Sequence, residues 1–210
     1  LIISGDTIQP SIGTNITVPS GLGINVGSTK IGEIGADYGA FKGNVVQCRV
    51  TRYDTQVSLT TGTGVSGIEI TGMQVSITPK FINSMIICQF QIHGEGSSGE
   101  HNLMFNVYRN GSIPTGTYSA FNTVAGNNIW SGVSMATIYD SAQNSDSTPT
   151  TQTFFYHDFP NTNSNLIYSP GVKSTDGTSR TFVVNRSIGS LGGSASEVGI
   201  SYSMVWEIAQ

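Results

Sequence analysis

From Asn44 to the C-terminus, apolar residues recur at every second position in short runs separated by turn residues, the pattern of half-buried β-strands. Val46, Cys48 and Val50 alternate with Gln47 and Arg49. Ile68 and Ile70, then Met73, Val75 and Ile77, lie either side of Gly72, where the interruption predicts a bulge. Ile86, Cys88, Phe90 and Ile92 alternate with Ile87, Gln89 and Gln91, and Leu103, Phe105 and Val107 follow. Val133, Met135, Thr137 and Tyr139 form a further face, and Phe154, Tyr156 and Asp158 alternate with Phe155, His157 and Phe159. Ile200, Tyr202, Met204, Trp206 and Ile208 share one face of a long closing strand. Asn110-Gly111 tolerates both positive-φ positions of a type I′ turn, and Asp176-Gly177, between apolar runs at 166–172 and 181–185, predicts a second hairpin. No segment has helical period.

Eight to ten strands, most with one apolar face, define an all-β chain: an antiparallel β-sandwich, jelly-roll-like, over residues 44–210. Its predicted core takes Val46, Cys48, Ile86, Cys88, Phe90, Leu103, Phe105, Tyr202, Met204 and Trp206. Cys48 and Cys88 both fall in strand-like runs and are expected to be buried free thiols. Residues 1–43 differ. Ile12, Ile16, Val18, Leu22, Ile24, Val26 and Ile31 stand isolated among Gly, Pro, Ser and Asn, with no run long enough for a stable strand in one chain. The segment reads either as an extended stem that buries these side chains against symmetry copies or as a flexible linker, and their spacing tips the reading to a stem in a homotrimer. Because the chain starts at Leu1, it is expected to be a processed product or a fragment.

Composition narrows the function classes. Of the 210 residues only 10% are charged, against about a quarter in ordinary soluble domains, and the net charge is −4. The nine Lys and Arg are scattered singly, so no phosphate-tracking patch exists and nucleic acid is not an expected partner. No window approaches the ~20 apolar residues of a membrane span, and no secretory signal is visible, so membrane insertion is not expected.

The stretch from Val45 to Gly94 resembles a module recurrent in bacteriophage tail-fibre proteins, including those of cyanophages. The resemblance is carried by Val45-Val46-Gln47 for a "VVQ" strand, Ser76-Ile77-Thr78-Pro79 for an "sITP" turn and Met85-Ile86-Ile87 for the apolar strand that follows. It continues in Tyr108-Arg109-Asn110-Gly111, Tyr139-Asp140-Ser141 and the closing Met204-Val205-Trp206-Glu207-Ile208-Ala209, so the matches span residues 45 to 210 in order. The segments 141–153 and 189–197 are longer and more polar than the pattern. The resemblance implies a trimeric virion appendage: a tail-fibre receptor-binding module, attached to other tail or capsid proteins through its N-terminal segment and contacting a host surface glycan or protein. The alternatives are a capsid fibre or decoration protein and a glycan-degrading tailspike.

Candidate chemistry is sparse. His93, Glu95, Glu100 and His101 flank a Gly/Ser turn and could hold a transition metal, but they lack a recognised ligand spacing and read better as a solvated hairpin. Asp140, Asp146 and Asp158 supply carboxylates for glycoside hydrolysis without a motif, and no G-x-S-x-G elbow or P-loop is present. No enzyme activity, metal or cofactor is therefore expected. The residues best suited to a glycan are Tyr118, Asn122, Asn127, Asn128 and Trp130, which combine aromatic faces with amide donors and acceptors in one Gly- and Asn-rich loop. The competing reading makes Phe121 and Trp130 core residues beside an ordinary loop.

Overall fold

The computed structural model describes residues 23–26, 29–33, 42–61, 67–96, 102–114, 132–135, 149–175, 178–188 and 197–210. Among them are thirteen strands: β1 (Gly23–Val26), β2 (Thr29–Glu33), β3 (Val45–Tyr53), β4 (Val57–Thr60), β5 (Ile68–Glu69), β6 (Val75–Ile77), β7 (Met85–Gly96), β8 (Leu103–Arg109), β9 (Ser134–Met135), β10 (Thr150–Asp158), β11 (Leu166–Ser174), β12 (Thr181–Val184) and β13 (Ser201–Ile208). β1 and β2 pair antiparallel, so the N-terminal segment does contain a short ladder of its own.

The other strands form two antiparallel sheets, and three lines within them are interrupted strands. β3 and β4 run along one edge, pairing β13 and then β12. β13 and β12 in turn pair successive stretches of β7, and β5 and β6 pair successive stretches of β11. Counted as lines, each sheet is four strands wide. The first runs β3/β4, β13/β12, β7, β10, and the second runs β5/β6, β11, β8, β9. Successive lines alternate between the sheets except β8 and β9, which neighbour each other. This is the double Greek key of a jelly roll. Asp176-Gly177 lies outside the described residues, but β11 and β12 on either side of it do not pair as the expected hairpin, since they belong to different sheets. Asn110-Gly111 does make its turn, with φ of 53° and 75°, closed by the Arg109–Ser112 bridge.

The core lies between the sheets. Ile86, Cys88, Phe90 and Ile92 of β7 meet Leu103, Phe105 and Val107 of β8 and Tyr168 and Val172 of β11. Phe105 stacks on Phe154 at 5.7 Å and meets the edge of Phe182 at 5.6 Å. Each such side chain contributes about 1.5–3 kcal/mol by leaving water. Pro170 sits inside β11 without breaking it. Its carbonyl accepts from Ile70 N, so its missing donor also faces the gap between β5 and β6, where no ladder partner is lost. Gly72 is not a bulge but the middle of a 3₁₀ turn, Thr71–Met73, and a side chain there would strike the Tyr53 ring.

Five predicted core residues face the other way. In β13 the side chains turned to the core are Ser201, Ser203, Val205 and Glu207, whereas Tyr202, Met204 and Trp206 lie half-buried on the outer face. Across from them, Val46 is half-buried and Cys48 exposed. The polar inward set is tolerated because each member is bonded: Ser203 Oγ donates to Met73 O at 2.6 Å and Ser201 Oγ to Asn185 Oδ1 at 2.7 Å. Both cysteines are free, as expected, but only Cys88 is buried, and burial pushes its thiol well above the usual range.

Two buried carboxylates tie distant segments together. Glu207 is fully enclosed and accepts from Lys80 N at 2.7 Å, Phe81 N at 3.0 Å, Ser84 Oγ at 2.7 Å and Gln47 Nε2 at 2.6 Å. Gln47 also donates to Thr78 O at 2.7 Å. Three of the motifs that carry the family resemblance, at Gln47, Thr78-Pro79 and Glu207, thus meet in one hydrogen-bonded cluster. Asp158 of β10, 2% exposed, accepts from Arg109 Nη1 of β8 at 2.6 Å and Tyr168 OH of β11 at 2.7 Å, stapling the two sheets.

Asn185, buried and at φ 63°, joins the break between β12 and β13 to the break between β3 and β4. Its Nδ2 donates to Tyr53 O at 2.9 Å and Thr55 O at 3.0 Å. Substituting alanine removes the amide from two carbonyls and from Ser201, and leaves an alanine at positive φ. A loss of about 3 kcal/mol is expected, read as a fall in the urea midpoint at unchanged slope.

Candidate functional site

None of the five residues proposed for a glycan site, Tyr118, Asn122, Asn127, Asn128 and Trp130, lies among the described residues, nor do Glu100, His101, Asp140 or Asp146. Within the segment 141–153, described from residue 149 on, Thr150 to Thr153 are strand rather than loop.

The described residues bring together a different surface, the outer face of the first sheet. Register places its side chains in rows across four strands. One row runs Cys48, Trp206, Ile87, His157, the next Val50, Met204, Gln89, Phe155, and a third Arg52, Tyr202, Gln91, Thr153. Val50 is 56% and Phe155 61% exposed, at the two edges of the face, and the side chains between them are half-buried. At the first-row end of the face Met85, Ile87, Phe155, Tyr156, His157 and Phe159 line a shallow depression of about 410 Å³. Arg52, paired with Asp54 at 3.1 Å, is the formally charged side chain in these rows and lies at the rim.

One end of the face is roofed. Between β12 and β13, Arg186 is bridged to Val198 and Ser187 N donates to Glu197 O. Ile188 N donates to Glu95 Oε2 at 2.6 Å, so Glu95 is buried although it points outward from β7. His93 packs against Gly199, where any side chain would collide with the imidazole ring. Its Nδ1 lies 3.1 Å from Thr151 Oγ1, and burial lowers its pKa against a smaller opposing pull from Glu197. His93 and Glu95 do share a face, as strand spacing predicts, but both are engaged under the roof. No group of three or more metal-ligating side chains occurs among the described residues.

Chemically the face offers apolar burial without convergent polar groups. Asp158, a candidate acid for glycoside cleavage, is turned into the core and held by two donors, out of reach of a substrate. The signal for this surface was present in the sequence: Met85-Ile86-Ile87 and Phe154-Phe155 place apolar residues on both faces of their strands, the mark of a strand covered twice.

The protein is thus an antiparallel all-β sandwich of jelly-roll topology with one half-open sheet face whose charge is confined to Arg52 and Asp54 at the rim. No family model matches the chain, and no curated protein matches it. Among solved structures, the crystal structure of the infectious bursal disease virus VP2 subviral particle is 14% identical, with a TM-score of 0.31, covering 86% of this chain and 43% of that one. The chain therefore spans less than half the length of that chain, and the likeness is too loose to bear on its role.

Proposed function

We propose that this chain is a non-enzymatic structural protein of a virion: the receptor-binding module of a bacteriophage tail fibre, homotrimeric, and contacting a glycan or protein on the host surface. The observation that carries this reading is the Glu207 cluster. Residues of three separated motifs of the tail-fibre resemblance are joined through Gln47, which donates to Thr78 O and to Glu207, as expected if those motifs hold this fold. A jelly roll leaves its loops free to vary, and varied loops suit recognition of differing receptors. Weak sites on three copies would add through avidity.

Purified chain in excess should block adsorption of the phage to its host, and the combined Tyr118→Ala, Asn127→Ala and Asn128→Ala variant should block at least tenfold less at an unchanged melting temperature. Undiminished adsorption at saturating chain would refute the receptor-binding role. Gold-labelled antibody at capsid vertices instead of tail tips would favour a capsid fibre or decoration protein. New reducing ends released from host polysaccharide would make the protein a tailspike.

A further inference from the structure

We infer that the outer face of the β3–β13–β7–β10 sheet is the interface through which copies of this chain associate. The inference rests on the oligomer of the proposed function and names the surface that builds it.

Four strands at about 4.8 Å and the seven residues of β7 clear of the roof, 85–91, at about 3.3 Å give a patch of about 19 by 23 Å, roughly 440 Å² in projection. A standard interface takes about 800 Å² of accessible surface per partner, so this patch is the size of an interface centre whose rim supplies the remainder. The chemistry suits a second copy. A charged partner would find nothing to pair with at the centre of the face, since the rows through Trp206 and Met204 carry no Lys, Arg, Asp or Glu and Arg52, at the rim, is already paired with Asp54. A like face, equally free of charge at its centre, can cover the exposed Val50 and Phe155 while the Arg52–Asp54 pairs stay at the rim. The strand pattern agrees, because Ile86-Ile87 and Phe154-Phe155 are patterned for burial on both faces, whereas Ile87 is only half-buried and Phe155 is exposed.

The dimensions also accommodate a closed ring of three. Three such faces about an axis stand about 5.5 Å from it, close to the half-spacing of ~5 Å between packed sheets, so side chains fill the centre. Four would stand about 10 Å away and leave a void.

The test compares the full chain with a Met204→Lys, Phe155→Lys variant by sedimentation equilibrium at micromolar concentration. The native chain is expected to be an oligomer and the variant a monomer with the same far-UV circular dichroism. A variant that keeps the native oligomeric state overturns the face but not the oligomer, and a native monomer overturns both. A native dimer that the variant dissolves supports the face while removing the trimer from the proposed function. Should the variant fail to fold, maleimide labelling of the native chain decides the matter. Cys48 lies on the face and should react at least tenfold more slowly in the oligomer than in urea, with buried Cys88 unreactive until unfolding. Equal reactivity of Cys48 in both states would show the face open and the inference wrong.

Discussion

Glu207→Ala is expected to be among the most destabilising single changes in the protein, costing about 5 kcal/mol. The carboxylate lies at full burial among four donors, two of them backbone N–H groups that no rotamer change can redirect. Leaving a buried donor unpaired costs about 1–3 kcal/mol, and water entering the vacated space recovers only part of it. Against a total stability of about 5–15 kcal/mol, the loss should bring the chain near its folding threshold. Glu207→Gln keeps the volume and one acceptor but turns an amide N–H₂ against donors, so about half the loss is expected. Urea unfolding followed by far-UV circular dichroism would give both values. An alanine variant with the native midpoint would mean that the 80–84 turn is held by something else, and would remove the observation on which the proposed function stands.

Arg109→Met should cost about 3–5 kcal/mol, because it leaves the Asp158 carboxylate in the core with only the Tyr168 hydroxyl as partner. The informative comparison is with Asp158→Leu added. Replacing both charges by apolar groups of similar size is commonly near neutral, so the double variant should recover most of the loss. What remains is the Tyr168 hydroxyl, which loses its acceptor. A double-mutant cycle therefore predicts a coupling of at least about 2 kcal/mol between Arg109 and Asp158. Additive effects would show that the pair does not staple β10 to β8.

The pairing of inward and outward sets shows where sequence reading stopped. In β7 and β10 the inward residues Ile86, Cys88, Phe90 and Phe154 were identifiable, since their strands are bounded by clear turns and their apolar set is continuous. In β13 the same rule chose Tyr202, Met204 and Trp206 over Ser201, Ser203 and Glu207, and the structure has them reversed. Local pattern reports which residues share a face. It does not report which face meets the other sheet, and a polar set can be buried when donors from residues more than a hundred positions away satisfy it, as Lys80, Phe81 and Ser84 do for Glu207. The same holds for the candidate surface. Double-sided apolar strands were visible in the chain, but that Val50, Met204 and Phe155 would stand in one row required the register of three ladders.

Taken by itself, the sequence determined that this is an all-β chain and roughly where its strands and the Asn110-Gly111 turn lie. Those properties are local: period-two alternation and positive-φ tolerance. Tertiary structure alone decided the order of strands within each sheet, the orientation of β13, the exposure of Cys48 and the burial of Glu207 and Asp158. Each depends on contacts between residues far apart in the chain, where closing a loop costs entropy that only the assembled core and its satisfied polar groups can offset.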